Sequence, residues 1–200
     1  MPVRAIRSPY YRLAAAYVAA LGLLLTMGAC SNVLPHAWTA PLALYDAEGV
    51  WTDDQGRRIR LGDLRGRNVV LSMFYRTCDI SCPLTLARMK DLQQALAERH
   101  QDARFVLVSL DPRHDTPENL AAYRQEHGLD AEHWTLLTGA IEPTLALSQA
   151  LDIHRLDDFS HLVHFVKIAV IRSDGERMKL VEGRDLGKAT DFLAGSQTSP

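Results

Sequence analysis

Two cysteines, Cys78 and Cys82, stand four residues apart in the stretch YRTCDISCP. The apolar run before them, residues 68–74, predicts a buried strand, and the stretch from Pro83 to Arg99 predicts a helix with the proline at its first position. A helix N-terminus stabilises a thiolate, which is both a ligand for soft metals and the nucleophile of disulfide exchange. The pair therefore predicts a metal site or a redox site at a strand-to-helix turn.

The spacing of the two cysteines favours metal chelation. Redox thioredoxins usually place one residue fewer between their cysteines, and the extra residue here increases the separation of the two sulfur atoms. Residues i and i+4 of a helix have Cβ atoms about 5–6 Å apart, so both sulfurs reach one metal or close a disulfide after a small adjustment. Two thiolates need a third ligand, and copper or zinc suits such a donor set. A purely structural disulfide is disfavoured because so small a loop constrains little of the unfolded chain.

The N-terminal residues have the pattern of a bacterial export signal. Three arginines precede an apolar run, residues 13–27, which is shorter than the roughly 20 residues of an ordinary membrane span. Small residues just before Cys30 are typical of a lipobox, so residues 1–30 are predicted to be a signal peptide that leaves Cys30 lipidated. An uncleaved anchor is the alternative. Both interpretations predict a membrane-anchored protein on the periplasmic side of the bacterial cell envelope.

The composition predicts one ordinary domain behind this signal. The chain has 200 residues, of which 47% are hydrophobic, and its net charge of -2 gives no support for a nucleic-acid partner. Residues 31–44 contain two prolines and little periodicity, which predicts a tether, and residues 45–200 are predicted to form the domain. With Cys30 lipidated, only the cysteine pair meets the oxidising compartment, where it forms a disulfide unless it is reduced or metallated.

The order of the predicted elements is that of a thioredoxin-like α/β fold. After a β-hairpin near residues 49–61, the predicted elements are strands at 68–74, 104–110, 134–137, 165–172 and 178–181, with helices at 83–99, 116–128, 142–151 and 186–195. Alternating strands and helices imply parallel strands with helices on both faces of the sheet. We therefore predict a central mixed sheet flanked by helices, with an N-terminal β-hairpin extension.

The chain resembles the Sco/SenC family in three motifs. They are CxxxCP at residues 78–83, SLDPRHDTPE at residues 109–118, and a histidine eleven residues before Gly175. The resemblance covers about residues 41–193. It implies a thioredoxin-fold copper carrier that binds copper through two cysteines and one histidine and helps to assemble the binuclear copper centre of cytochrome c oxidase. Some members of this family act as thiol-disulfide reductases on the apo form of that centre.

Carried over by position, the resemblance assigns Cys78, Cys82 and His164 as the copper ligands. His161 is the competing histidine, but three residues away in an extended segment it would point to the other side. Asp79 stands where the family often has proline, and the residues that flank His164 also depart from the family pattern. These departures indicate a divergent branch of the family and leave the client protein open.

Two functions are consistent with the cysteine pair and the histidine. The first is a metallochaperone that delivers copper to the apo form of a respiratory oxidase subunit, with the copper donor and the thiol reductant unidentified. The second is a periplasmic thiol-disulfide oxidoreductase in which Cys78 attacks a client disulfide and Cys82 resolves it. The histidine favours copper delivery because disulfide exchange does not need it.

Three polar residues near the predicted turn have two interpretations each. Asp111 and Asp115 are expected to bond backbone amides at the end of a strand, which is ordinary turn chemistry, although the resemblance keeps Asp111 near the site. Arg76 is either an ordinary solvated arginine or a functional one, which would favour a cysteine thiolate or contact an acidic partner. Met73 and Met89 lie on apolar faces and are predicted to be core residues.

Overall fold

The computed structural model describes residues 42–78, 81–151, 153, 167–175, 178–182 and 186–195. All of them belong to one of the two compact units of the chain, His36–Pro200. Cys30, Asp79, His161 and His164 lie outside the described residues.

Helices and strands alternate along the described chain. The helices are α1 (Leu42–Tyr45), α2 (Ser81–Glu98), α3 (Pro117–Glu126), α4 (Ile141–Ala150) and α5 (Leu186–Ala194), and a 3₁₀ helix spans Leu61–Leu64. The strands are β1 (Trp51–Asp53), β2 (Arg58–Ile59), β3 (Val69–Phe74), β4 (Arg104–Ser109), β5 (Trp134–Gly139), β6 (Lys167–Ile171) and β7 (Met178–Glu182). Among the described residues, no helix is both long and apolar enough to cross a membrane.

The strands form one mixed sheet in the order β2-β1-β5-β4-β3-β6-β7. Strands β3, β4 and β5 are parallel, β6 runs antiparallel to β3, and β7 runs antiparallel to β6. The N-terminal hairpin of β1 and β2 extends the sheet beside β5. The predicted mixed sheet with its hairpin extension is therefore confirmed.

Helices cover both faces of the sheet because the parallel strands are apolar on both sides. Every residue of β3 is buried, and its side chains alternate between two cores. One core contains Met89 and other residues of α2, together with residues of α3 and α5, and the other contains Met73 and residues of α1 and α4. Both methionines are core residues, as predicted.

One local prediction was wrong. Helix α2 begins at Ser81, so Pro83 is its third residue instead of its first. Proline is tolerated there because the first N–H groups of a helix have no acceptor within the helix. The structure also contains the short helix α1, which was not predicted, and it buries Leu44 and Tyr45 against the core.

Candidate metal centre

The two cysteines lie at the end of the sheet where the parallel strands terminate, which we call the site end. Strand β3 finishes at Phe74, and the N–H of Cys78 donates to the carbonyl of Tyr75 across 3.1 Å, which turns the chain toward α2. Cys78 is half-buried, whereas Cys82, in the first turn of α2, is buried with 7% of its surface exposed. The strand-to-helix position predicted for the pair is confirmed.

The sulfur of Cys78 faces the beginning of α2. The backbone N–H of Cys82 donates to Cys78 Sγ across 3.4 Å. Cys78 precedes the helix, so the pair is brought together by this turn and not by the i, i+4 spacing of a helix that the sequence suggested. An N–H in the first turn carries partial positive charge and has no acceptor inside the helix, and it therefore stabilises a thiolate on Cys78. Both side chains are thiols in the structure.

Asp115 ties the segment that carries Cys78 to the neighbouring loop. Its carboxylate, only 2% exposed, accepts a hydrogen bond from Ser109 Oγ at 2.6 Å and one from the N–H of Arg76 at 3.2 Å. The N–H of Leu110 donates to the carbonyl of Phe74 at 2.7 Å, so two hydrogen bonds join the two segments. Asp115 does bond a backbone amide as predicted, but the amide belongs to the cysteine segment. A link between residues 39 apart leaves no local sequence signal.

Asp111 orients a histidine that the sequence reasoning did not single out. The N–H of Asp111 donates to Ser109 Oγ at 2.9 Å, which holds the residue at the end of β4. Both oxygens of its carboxylate lie 2.9 Å from Nδ1 of His114, whose side chain is 74% exposed. The only sequence signal for this pair is a histidine three residues after an aspartate. It lies inside the SLDPRHDTPE motif, from which only the two aspartates were singled out.

Tyr123 of α3 completes the wall beside the cysteines. Its ring packs 5.0 Å from the ring of Phe74, centroid to centroid. Burial raises the pKa of Tyr123, and negative charge on Cys82 and Cys78 raises it further. The phenol therefore stays protonated, and Tyr123 belongs to the same core cluster as Cys82, against which Cys78 packs.

The predicted third ligand, His164, and its competitor His161 lie outside the described residues. The nearest described residue is Lys167, the first residue of β6, whose carbonyl accepts a hydrogen bond from Ser72 Oγ of β3 at 2.8 Å. In the part of the chain that the structure describes, no group of three or more histidine, cysteine or acidic side chains is placed to hold a metal. Two adjacent thiols suit a soft metal ion but do not complete its coordination.

Comparison with known proteins identifies relatives over most of the domain. The model of the SCO1/SenC family matches residues 43–192 of the chain. A protein of Bacillus subtilis strain 168 named SCO1 protein homolog is 26% identical over 155 residues, which cover 75% of this chain and 80% of the relative.

Two solved structures share the fold. One is the structure of BsSco, which is described as having a disulfide switch and as a member of the Sco family of cytochrome c oxidase assembly proteins. Its TM-score is 0.65 at 20% identity, and the match covers 77% of this chain and 94% of BsSco. Arabidopsis thaliana ScoI with copper bound has a TM-score of 0.61 at 20% identity, covering 76% of this chain and 97% of its own. The predicted thioredoxin-like fold is confirmed by this likeness.

Proposed function

Because the chain belongs to the SCO1/SenC family, we propose that it is a copper-binding metallochaperone that delivers copper to, or matures, the copper centre of a respiratory oxidase. Members of the family handle copper and assemble cytochrome c oxidase. The observation that carries the proposal is the contact between Cys78 Sγ and the N–H of Cys82 at 3.4 Å. This contact favours a thiolate on Cys78 at the start of α2, and it places that thiolate beside the second thiol, Cys82, in the first turn of the helix.

The proposed ligands are Cys78, Cys82 and His164. Copper is cargo here: each thiol releases its proton to water as its thiolate binds, and the histidine contributes a neutral imidazole nitrogen. Two thiolates and one imidazole suit copper(I), and the imidazole also allows copper(II). The third assignment rests on the resemblance and on the position of β6, which begins beside β3 three residues after His164.

The proposed location is the periplasmic side of the bacterial cell envelope, with the protein held on the membrane through a lipid on Cys30. The support is the basic and apolar N-terminal run that ends in small residues before this cysteine. The proposed partner is the apo form of an oxidase subunit that carries a copper centre. Asp79, beside the first cysteine, is the reason to test clients other than the usual oxidase.

The test is a titration of the reduced full-length protein with copper(I) in competition with a colorimetric chelator. We expect wild type to bind copper in equimolar amount and His164→Ala to bind it far more weakly. His133→Ala is the matched control, because His133 lies at the opposite end of β5 from the cysteines, and it should bind like wild type. An unchanged affinity in His164→Ala would refute this ligand set.

A second candidate function is thiol-disulfide exchange, favoured by the unequal exposure of the two thiols. The half-buried Cys78 thiolate would attack a client disulfide and form a mixed disulfide, and the buried Cys82 would then displace the client. The client gains two electrons and two protons as a dithiol, and the pair becomes a disulfide. Accumulation of a mixed disulfide by Cys82→Ala, with full exchange activity retained by His164→Ala, would favour this function over copper delivery.

A further inference from the structure

An exposed imidazole lies at the site end, held by a carboxylate. Nδ1 of His114 is 2.9 Å from both oxygens of Asp111, and Asp111 is itself buried and anchored to Ser109 Oγ. A carboxylate accepts a hydrogen bond, so the neutral imidazole carries its proton on Nδ1 and its lone pair on Nε2. An imidazole whose other nitrogen donates to a carboxylate is the usual arrangement of a histidine that binds a metal.

The loop that carries His114 is fixed to the segment that carries Cys78. Phe74 and Ser109 are register partners at the ends of the parallel strands β3 and β4. The residue after His114, Asp115, accepts from the N–H of Arg76 at 3.2 Å, two residues before Cys78. The histidine and the thiols therefore belong to adjoining loops at the same end of the sheet, and the imidazole is on the solvent side of that pair of loops.

The chain contains a second histidine of the same kind that serves as an internal comparison. Nδ1 of His133 is 2.7 Å from Asp130, again three residues earlier in sequence. This pair precedes β5 and lies at the opposite end of the sheet. Its Nε2 is 3.8 Å from a carboxylate oxygen of Asp102, and its side chain is only 37% exposed. Both nitrogens of His133 lie near carboxylates, whereas the side chain of His114 has one carboxylate at Nδ1 and is 74% exposed.

We propose that His114, oriented by Asp111, is a transient ligand through which copper passes on its way to and from the cysteine pair. This inference rests on the proposed copper-carrying function. The Nε2 lone pair binds copper(I) released by a donor, and the thiolates of Cys78 and Cys82 then replace the imidazole. Copper keeps its oxidation state, the thiol protons leave to water, and the imidazole of His114 is released without gaining or losing a proton.

The experiment measures how fast copper(I) moves from bicinchoninate to the reduced full-length protein by stopped-flow absorbance, beside the affinity at equilibrium. His114→Gln should load about tenfold more slowly, which is the lower range for loss of a group that supports a metal site. Its equilibrium affinity should stay at the wild-type value because the resident ligands remain. Asp111→Asn should slow loading in the same direction, and His133→Gln should load like wild type.

A rescue variant separates a ligand from a structural support. His114→Met supplies a soft thioether donor that binds copper(I), so it should load faster than His114→Gln. Equal loading by wild type and His114→Gln would refute this inference alone, provided that wild type binds copper in equimolar amount. Failure of the methionine to rescue, or parallel losses of rate and affinity, would also refute a transient role. Failure of wild type to bind copper would refute both this inference and the proposed function.

Discussion

The two ends of the parallel strands carry the same pair of side chains in different surroundings. At the site end, the side chain of His114 is 74% exposed, and its Nδ1 lies against Asp111. At the opposite end, His133 lies between Asp130 and Asp102 and is half as exposed. The imidazole and carboxylate chemistry is the same in both places. The difference is that a second carboxylate, that of Asp102, lies near Nε2 of His133. We expect this difference to decide which histidine can bind a ligand and which only holds its loop in place.

The direction of the helices explains why the open chemistry collects at one end. Helices α2 and α3 begin at the site end, close to the cysteines and Asp115, and their N-terminal N–H groups stabilise negative charge there. The opposite end receives the last turns of the same helices, and several of its polar groups bond within the protein. Trp134 Nε1, for example, donates to Gln93 Oε1 at 2.8 Å. The comparison predicts that changes at the site end alter copper handling, whereas changes at the opposite end alter only stability.

The largest effect should follow from Asp115→Asn. The carboxylate is buried and accepts from Ser109 Oγ and from the N–H of Arg76, so its replacement should cost about 2 kcal/mol of the free energy of unfolding. It should also loosen the segment that carries Cys78 and weaken copper(I) binding about tenfold. Urea unfolding and chelator competition measure the two effects.

Ser109→Ala is the matched control for this substitution. It removes the hydrogen bond from Ser109 Oγ to Asp115, together with the one that Ser109 Oγ accepts from the N–H of Asp111, but it keeps the bond from Arg76 to Asp115. We expect a loss of stability of about 1 kcal/mol, with a smaller change in copper affinity. Equal copper affinities in wild type and Asp115→Asn would show that the tie between the two loops does not support the site.

The intermediate effect belongs to the opposite end, where Gln93→Met leaves the buried indole N–H of Trp134 without its acceptor. An unsatisfied buried donor costs about 1–2 kcal/mol, and copper affinity should not change. The cost should shrink when Trp134→Phe is added, because no donor is then left unsatisfied. A weaker copper affinity in Gln93→Met would break the proposed separation between the two ends.

Much of the fold could be predicted from the sequence because its signals are local. These signals are the apolar runs of β3 and β4, the N-cap Thr116 before Pro117, and the cysteines at the first strand-to-helix turn. Each depends on residues that are close together in sequence. The start of α2 was misjudged because any position in the first turn accepts proline. Helix α1 was missed because a four-residue helix shows no period.

The architecture of the site was harder to predict because it depends on contacts between distant segments. Asp115 was expected to bond an amide, but its partner, Arg76, comes from another loop. Tyr123 and His114 were not singled out from the sequence, because only the fold brings helix α3 and the loop after β4 to the end of the sheet that carries the cysteines. The pair of His133 and Asp130 has the same spacing as the pair of Asp111 and His114, and the sequence does not show that Asp102 lies beside His133 and not beside His114. The assignment of His164 stays a prediction.

The smallest effect should come from Asp130→Asn, and its pH dependence tests whether this pair only braces the loop before β5. Burial raises the pKa of Asp130, but hydrogen bonds from the N–H and side chain of His133 and from Gln93 lower it below its ordinary value. A carboxyl with a lowered folded-state pKa stabilises the fold above its unfolded value, about 3.9, and loses that contribution as the pH falls through the folded value. Because the Asp130 side chain is half-exposed and solvent screens its charge, the variant should be less stable than wild type by only about 0.5 kcal/mol at pH 7, with the gap closing in acid. Urea unfolding across this pH range measures the gap, and copper(I) affinity at pH 7 should equal that of wild type. If the difference in the free energy of unfolding between wild type and Asp130→Asn persists at low pH, packing and not the charge of Asp130 stabilises the loop before β5.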